Sequence, residues 1–477
     1  MRTRALWATL LLLISITLIL WTTLRGTPEF AQPYFDTAAE YIQSQQTHKD
    51  DFTLTAPRPA PPRPQATQSW TYAYREHGRN FGLTEEQCGA AFPDLFKEID
   101  RAVEYRKTVA GNITQDETSV DWKEDGIVKA QIYENQLYIL DPRGITDGNT
   151  RPRALATLNS LHRAVSASPT MLPNIEFSFV VHDFALDFWH PGNQTTWAYT
   201  RKTDQPSLWL MPDFGLWGWP DVGLRSYQEL QSVLERTESL FEDKVPKLVW
   251  RGSLDVGSKE VRQGLVDHSK DQPWADVKAL HWDDPADIEQ NLLTMQDHCA
   301  YQFVAQTEGN SYSGRLKFLL NCHSVLLSHD LEWVELYHHL MIGHGLEQNY
   351  VHVQRDYSDL RTKMRRLLHP SSFSNSAQTI ADNARRTFRE RYLTPAAEAC
   401  YWRALIRAWA SVQGFEPQFW QEVEHFDKVT QKKQKLQRPV GAPFEAYAIM
   451  EEVNWEVPAI PRKMCIKKPE EEQCREH

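Results

Sequence analysis

The sequence lacks the short motifs that mark several common enzyme classes. It has no Cys-x-x-Cys pair, no Walker loop and no Gly-x-Ser-x-Gly element. Nothing therefore indicates a thioredoxin-like redox site, a P-loop nucleotide site or the serine nucleophile of an α/β-hydrolase. The Asp-x-Asp pattern, with which many enzymes that act on nucleotide sugars hold a divalent ion, is also absent.

Positive charge and cysteine are scarce. The 477 residues carry 52 Lys and Arg against 63 Asp and Glu, a net charge of −11, whereas a nucleic-acid-binding protein needs a basic surface. Six Cys are too few for a disulfide scaffold but sufficient for two or three bridges in an oxidising compartment. With 41% apolar and 24% charged residues, the composition is that of an ordinary globular protein. Its length suggests two or three domains.

One long apolar run stands near the N-terminus. Residues 5–24 carry no charge and follow Arg2 and Arg4. At about 1.5 Å per residue, this run spans a bilayer core of about 30 Å, and the arginines favour a cytosolic N-terminus. A cleaved signal peptide, the alternative, would have a shorter run and a small-x-small exit. The pattern predicts a transmembrane signal-anchor within residues 1–25, with the rest of a single-pass, type II protein in the lumen.

The following segments agree with a lumenal location. Sequons begin at Asn112 and Asn193, so we expect glycosylation at both. Residues 26–69 are polar and Pro-rich around 56–64, which favours a semi-rigid stem or a disordered tail. The chain ends without an ER retrieval tetrapeptide. Together with the short anchor, this favours the Golgi membrane, with the ER membrane as the alternative.

Short apolar runs alternate with helical patterns after residue 70. The runs that predict strands lie at 175–181, 247–250, 301–305, 324–328 and 350–353, and the helical patterns at about 313–321, 357–368, 376–393 and 396–413. This order predicts parallel α/β sheets, which bind ligands beyond the carboxyl ends of their strands. We expect an N-terminal lobe at 70–240, a C-terminal lobe at 241–427 facing it across a cleft, and an extension at 428–477.

Three segments could carry chemistry. Residues 308–317 join an apolar strand to a helix, with small residues and two bases in the first helical turn. Such a turn suits a phosphate, although an ordinary turn with solvated bases has the same composition. The sequence Arg251-Gly252-Ser253 follows a strand in the same way. Asp183 ends an apolar strand, where a carboxylate can act as a base or simply cap a turn.

The segment from Asp297-His298-Cys299 to Glu332-Trp333 resembles glycosyltransferase family 90, which includes fungal capsule-associated xylosyltransferases and animal protein O-glucosyltransferases. The family pattern has a Gly loop, Ser-x-Arg-x-Lys, a helix with a Cys, a small apolar strand and Glu-Trp. This chain matches it without a gap from Ser313 to Trp333. The Arg-Gly-Ser element and the strand that ends at Asp183 are similar to two further motifs of the family.

The resemblance implies a GT-B-like α/β fold with two Rossmann-like lobes, an inverting mechanism, a UDP-sugar donor, and no cofactor or required metal. Asp183 would be the catalytic base that activates a hydroxyl of a glycan or glycoprotein acceptor. The implied disulfides are Cys299 with Cys322 and Cys88 with Cys400, which leaves Cys465 and Cys474 to pair locally. The donor-binding residues would be Arg251, Gly252, Ser253, Arg262, Gly309, Ser313, Arg315 and Lys317.

The chain departs from the family pattern in two places. Relatives often carry an Arg where this chain has Leu254; either Arg262 takes its place after a short insertion, or the function is absent. The acceptor-side segment 184–240 matches little, and its tryptophans could stack on sugars or simply pack in the core; these are Trp189, Trp217 and Trp219. We expect an anchored glycosyltransferase that transfers xylose or glucose. The alternatives are a non-catalytic lumenal binding or assembly protein and a protein O-glucosyltransferase.

Overall fold

Two large β-sheets and one separate two-stranded sheet organise the part of the chain that the structure describes. The structure is a computed structural model, and it describes residues 70–146, 150–186, 194–219, 222–369, 374–427, 429–446 and 448. These residues belong to one compact unit, Ser69–His477. The predicted anchor and stem lie outside the described residues. No helix within the described ranges is both long and apolar enough to cross a bilayer.

The helices and strands are numbered in chain order. The helices are α1 (Tyr74–His77), α2 (Glu85–Ala91), α3 (Lys97–Tyr105), α4 (Arg143–Thr146), α5 (Arg151–Ser166), α6 (Tyr227–Thr237), α7 (Lys259–Ser269), α8 (Pro285–Asn291), α9 (Leu316–Leu319), α10 (Leu360–Leu367), α11 (Ser374–Ala384) and α12 (Pro395–Ala410). The strands are β1 (Ile127–Tyr133), β2 (Gln136–Asp141), β3 (Ile175–Val180), β4 (Trp197–Ala198), β5 (Trp209–Leu210), β6 (Val245–Gly252), β7 (Ala275–Ala279), β8 (Tyr301–Gln306), β9 (Val325–Ser328), β10 (Val351–His352), β11 (Trp420–Asp427), β12 (Lys432–Pro439) and β13 (Ala442–Pro443).

The first sheet is mixed, with strand order β13-β2-β1-β3-β4-β5. Strands β1, β2, β3 and β13 pair antiparallel, whereas β3, β4 and β5 pair parallel. The expectation of a parallel sheet is therefore wrong for this half of the chain. The physical reason is a tight turn between β1 and β2, where Glu134 and Asn135 have φ values of 49° and 61°. Two successive left-handed residues make a hairpin, which joins antiparallel strands.

The second sheet is wholly parallel, with strand order β10-β9-β8-β6-β7. The strands predicted at 247–250, 301–305, 324–328 and 350–353 are all observed here. The helix predicted at 313–321 shrinks to the single turn α9, because residues 310–314 form a turn before it. The carboxyl ends of all five strands lie at one edge of the sheet, so the loops that follow them meet there.

Late segments of the chain return to the first sheet. Trp197 of β4 stacks on Phe177 with ring centroids 3.9 Å apart, and α12 packs against it through Trp402 and Trp409 at 6.0 and 5.7 Å. Strand β13 also pairs with β2. The same apolar core continues to Val304 in β8. The two sheets are therefore joined by one continuous core.

Two disulfides reinforce this arrangement, and they are the pairs that the resemblance implies. Cys88 of α2 is bonded to Cys400 of α12, and Cys299, which lies before β8, is bonded to Cys322, which follows α9. The second bond connects the start of the central strand β8 to the segment that follows residues 308–317, which we call the Gly loop. Cys465 and Cys474 lie outside the described residues.

Candidate active site

Asp183 lies just beyond β3 and is held in an ion pair. Its Oδ1 accepts a hydrogen bond from Arg153 Nη1 at 2.8 Å, and Arg153 also donates to the carbonyl of Val181 at 3.3 Å. The Asp183 side chain keeps 36% of its accessible surface. An oriented carboxylate with one open side can accept a proton from a ligand. Arg153 was not predicted, because only the fold brings α5 to the end of β3.

The loops after β6 and β8 lie against each other at the edge of the second sheet. A Cβ on Gly257 would lie 2.2 Å from the carbonyl oxygen of Gly309, so only glycine allows this approach. Arg262 spans the two loops, because its Nε donates to the carbonyl of Glu308 at 3.0 Å and its Nη1 to that of Ser253 at 2.6 Å. Here Arg262 contributes a guanidinium to the Gly loop.

Two guanidinium groups at this edge have no carboxylate partner among the described residues. Burial lowers the pKa of Arg262 to about 10. The pKa of Arg315 is lowered to about 10 as well, by burial and by the charge of Arg262. Each group keeps its proton at neutral pH, but burying the charge without a partner is unfavourable, and a nearby anion would offset this free-energy cost. Two neighbouring arginines whose positive charges no carboxylate neutralises are typical of a phosphate-binding site.

Unpartnered buried atoms surround the same loop. A buried polar atom without a hydrogen bond is costly, and a ligand is one explanation for it. Four such side-chain atoms lie between residues 298 and 315: His298 Nε2, Gln306 Oε1, Ser311 Oγ and Arg315 Nε. Ser311 and Arg315 belong to the loop itself, so their unpartnered atoms favour a polar ligand there.

Glu308 fastens the Gly loop to the loops that follow β9 and β10. One carboxylate oxygen accepts from the backbone N–H groups of Glu332 and Trp333, both at 2.8 Å, and the other pairs with Arg355 at 3.1 Å. Burial raises the pKa of Glu308, although these donors oppose the shift. The glutamate belongs to the motif noted in the sequence, but the sequence gives no sign of its partners.

An aromatic contact brings Asp183 and this loop system together. Phe184, which follows Asp183 directly, packs edge-on against Trp333 with ring centroids 5.4 Å apart. Trp333 is the residue whose backbone Glu308 binds. The end of β3 therefore contacts the loops at the carboxyl edge of the second sheet, the edge that also carries the two arginines.

Arg251 is engaged elsewhere. Its Nε donates to the carbonyl of Asn291 at 2.8 Å, its Nη1 to the carbonyls of Trp250 and Asp276, and its Nη2 to the Asp276 carboxylate at 2.8 Å. Four of the five N–H donors of a guanidinium are thus used within the protein. This arrangement does not support the donor-binding role that the resemblance implies for Arg251.

Lys317 is likewise committed to the protein. Its Nζ lies 2.6 Å from Asp213 Oδ1, and both side chains are almost completely buried. It also donates to the carbonyl of Gly314 at 2.7 Å. A direct contact between Lys317 and a donor phosphate is therefore not supported, although the residue lies beneath the loop as the motif predicts.

The remaining predicted site residues lie at the same edge. Gly252 ends β6 and Ser253 follows it, and the Ser253 hydroxyl accepts from the backbone N–H of Asp255 at 3.1 Å. Gly309 donates its N–H to the carbonyl of Tyr312 at 3.2 Å, which tightens the turn. Ser313 is partly exposed just before α9. Backbone groups and small side chains can therefore approach a ligand here.

Two of the three tryptophans considered for sugar stacking pack internally. Trp217 lies under the guanidinium of Arg163, whose carbon is 3.9 Å from the ring centroid. Trp219 contacts Phe214 edge-on at 5.1 Å and covers Gly314, where a Cβ would meet its ring at 2.9 Å. Both contacts favour core packing, although Trp219 also lies on the Gly loop. Trp189 lies outside the described residues.

Two other expectations concern metal and glycosylation. The described ranges contain no group of three or more His, Cys, Asp or Glu residues arranged to hold a metal ion. Asn112 is exposed, as a glycosylated asparagine must be. Asn193 lies outside the described residues. Glycosylation at both positions remains a prediction.

Below pH 6.5 we expect the loop system to lose stability through His329. Its buried Nε2 accepts a hydrogen bond from the backbone N–H of Glu308 at 3.3 Å, and its Nδ1 donates to the Asp330 carbonyl at 2.8 Å. Burial lowers its pKa from 6.5 to about 4. Between these values the unfolded chain binds more protons than the folded chain. The free energy of unfolding should therefore fall by up to about 1.4 kcal/mol per pH unit as the pH drops.

Urea unfolding at about pH 7 and about pH 4.5 measures this effect. His329→Gln retains an acceptor that cannot be protonated, so its stability should depend less on pH than that of the wild type. His281, whose side chain is 70% exposed, supplies the matched control His281→Gln. Equal pH dependence in the wild type and His329→Gln would contradict the assignment.

Comparison with known proteins identifies the family. The model of glycosyl transferase family 90 matches residues 85–443, well over half of the chain. The chain belongs to this family. The match includes both sheets, Asp183 and the whole Gly loop.

Curated relatives of this family 90 chain resemble it over shorter stretches. The O-glucosyltransferase rumi homolog of Aedes aegypti is 25% identical over 242 residues, which cover 45% of the chain and 56% of that relative. O-glucosyltransferase rumi of Drosophila pseudoobscura pseudoobscura is 27% identical over 154 residues, covering 32% and 35%. A rumi homolog from Anopheles gambiae is 24% identical over 180 residues, covering 36% and 40%. The chain thus spans about half of these relatives or less.

Proposed function

We propose that this family 90 chain is an inverting glycosyltransferase that transfers a sugar from a UDP-sugar to a hydroxyl of a glycan or glycoprotein. The observation that carries the proposal is the pair of buried arginines without a carboxylate partner, Arg262 and Arg315. The contact between Phe184 and Trp333 connects their edge of the sheet to the strand end that carries Asp183. Negative charge develops on the diphosphate leaving group as its bond to the sugar breaks. Fixed positive charge nearby therefore stabilises the transition state more than the bound substrate. The acceptor hydroxyl needs a base on the opposite side of the sugar.

The proposed reaction has a single displacement step. Asp183 takes the proton of the acceptor hydroxyl, whose oxygen attacks the anomeric carbon as the bond to the diphosphate oxygen breaks. Arg315 and Arg262 stabilise the charge that develops on the departing UDP, with backbone groups near Gly309 and the hydroxyl of Ser313 as further donors. Attack from the side opposite the leaving group inverts the anomeric centre. We propose a GT-B arrangement, in which the two sheets hold these groups on facing sides of a crevice.

We further propose that catalysis needs no metal ion, since the two arginines can supply the positive charge that the leaving group requires. The donor sugar is glucose or xylose, and the similarity to O-glucosyltransferases favours glucose transferred to oxygen. The apolar run at residues 5–24 supports a single N-terminal anchor in the Golgi membrane with the catalytic part in the lumen.

UDP release tests the proposal directly. The purified full-length chain is incubated in detergent with UDP-glucose, UDP-xylose and other UDP-sugars, with and without a chelator. We expect release from UDP-glucose, UDP-xylose or both, unchanged by the chelator and stimulated by glycan or glycoprotein acceptors. If no UDP-sugar is turned over and UDP does not bind, the proposed function is wrong. Binding without turnover would favour the non-catalytic alternative, and loss with the chelator would reject metal independence.

A further inference from the structure

Asp213 contacts both a loop of the first sheet and the Gly loop of the second. It follows β5 and is 3% exposed. Its Oδ1 lies 2.6 Å from Lys317 Nζ and accepts from the backbone N–H of Gly215 at 2.6 Å. Its Oδ2 accepts a short hydrogen bond from the hydroxyl of Tyr312. One buried carboxylate therefore binds two residues of the Gly loop.

The packing around this contact leaves little room for movement. A Cβ on Gly215 would lie 2.5 Å from Lys317 Cε, so the backbone after Asp213 lies directly against the lysine. Lys317 is 0% exposed and holds Gly314 through a second hydrogen bond. A buried ion pair of this kind stabilises mainly when its geometry is good and its other hydrogen bonds are satisfied. The two loops are therefore fixed to each other at this point.

The contact continues from Asp213 to the catalytic carboxylate. The guanidinium carbon of Arg153 lies 5.1 Å from the ring centroid of Phe214, the next residue after Asp213. Arg153 in turn donates to Asp183 at 2.8 Å. Tyr199 lies beside this path, with its ring 5.5 Å from Phe214 and 6.3 Å from Tyr312. A packed series of side chains thus connects the Gly loop to Asp183.

We propose that Asp213 is a positioning residue that couples the order of the Gly loop to the placement of Asp183. The inference rests on the proposed function, because it takes residues 309–317 to be the donor loop. When the diphosphate binds this loop, the contacts of Tyr312 and Lys317 with Asp213 restrict Phe214 and Arg153, and Arg153 holds the base. Loss of one contact leaves the arginines free to bind UDP but loosens the base.

Hydrogen–deuterium exchange of the full-length chain with UDP as the probe tests the coupling. The variant is Tyr312→Phe, which removes one hydrogen bond to Asp213 and no charge. Its matched control is Tyr357→Phe, because the hydroxyl of Tyr357 is also buried near the loop but binds the Gln306 carbonyl. In the wild type and the control, UDP should slow exchange at 308–318 and at 176–184. In Tyr312→Phe, it should slow exchange at 308–318 while most of the slowing at 176–184 is lost.

Kinetics give a second measurement. Tyr312→Phe should lower kcat roughly 3- to 10-fold, the range for one hydrogen bond, with an almost unchanged Kd for UDP. Asp213→Asn, which keeps the shape but removes the charge opposite Lys317, should act in the same direction and provides a second variant. Thermal unfolding confirms that each variant is folded.

The outcomes separate this inference from the proposed function. Equal slowing at 176–184 in Tyr312→Phe and in the wild type would overturn the coupling, and so would slowing confined to 308–318 in the wild type. In both cases the donor site itself would stand. If UDP slows exchange nowhere in the loop of the wild type, the donor site is wrong and the coupling falls with it.

Discussion

Asp183→Asn should lower the rate of sugar transfer roughly 100- to 10,000-fold, the usual contribution of a general base. The amide has no basic oxygen with which to take the acceptor proton. It still has an oxygen that can accept from Arg153, which binds Asp183 at 2.8 Å in the wild type. The fold and the affinity for UDP should therefore change little. The transfer rate is measured as UDP release in the presence of the acceptor, and UDP affinity by calorimetry.

A neighbouring carboxylate provides the control for this substitution. Asp125 is exposed and lies 3.7 Å from His182, the residue before Asp183. Asp125→Asn removes the same charge from the same surface without touching the ion pair with Arg153, so transfer should continue at nearly the wild-type rate. If Asp183→Asn keeps wild-type turnover, Asp183 is not the base and the proposed mechanism fails. Equal losses in both variants would indicate a general effect of charge.

Four of the five strands of the second sheet could be predicted from the sequence, whereas the prediction for the first sheet found β3 but neither β1 nor β2. Parallel strands with both faces covered appear as continuous apolar runs, as in the run at 301–305, and each run was followed by a visible loop. Glycine is the usual sign of a two-residue hairpin turn, and the turn at Glu134 and Asn135 contains none. Strands β1 and β2 were therefore missed, and with them the antiparallel pairing of β3 and the long helix α5.

The sequence also predicted a site at the ends of the strands, but it could not assign the roles of three charged side chains. Arg251, Arg262 and Lys317 all follow or accompany the expected loops, and nothing in their spacing distinguishes them. The roles of these side chains depend on their partners, which come from other segments of the chain. Arg251 forms an ion pair with Asp276, and Lys317 forms one with Asp213. Of the basic residues predicted to bind the donor, only Arg262 and Arg315 have no carboxylate partner among the described residues. Long-range pairing of this kind depends on the folded core rather than on any local pattern.

Arg315→Ala should weaken UDP binding by about 1.5–3 kcal/mol, the value of a hydrogen bond to a charged group, which corresponds to roughly 10- to 150-fold in Kd. In the free protein, Arg315 Nε is buried without a partner, and burial together with the charge of Arg262 lowers its pKa to about 10. Removing the side chain relieves that unfavourable charge, so the variant should be at least as stable as the wild type. A loss of affinity without a loss of stability distinguishes a ligand-binding arginine from a structural one.

Two further arginines make the interpretation specific. Arg225 is 82% exposed and pairs with Glu229, so Arg225→Ala controls for a general loss of positive charge and should leave UDP affinity unchanged. Arg262→Ala removes the other uncompensated guanidinium and should also weaken binding, because in the proposed mechanism both groups bind the same diphosphate. Calorimetric titration with UDP measures all three variants. No carboxylate in the described part of the chain neutralises the buried guanidinium of Arg315, which is why we expect a ligand to do so. Unchanged UDP affinity in Arg315→Ala would remove this residue from the donor site.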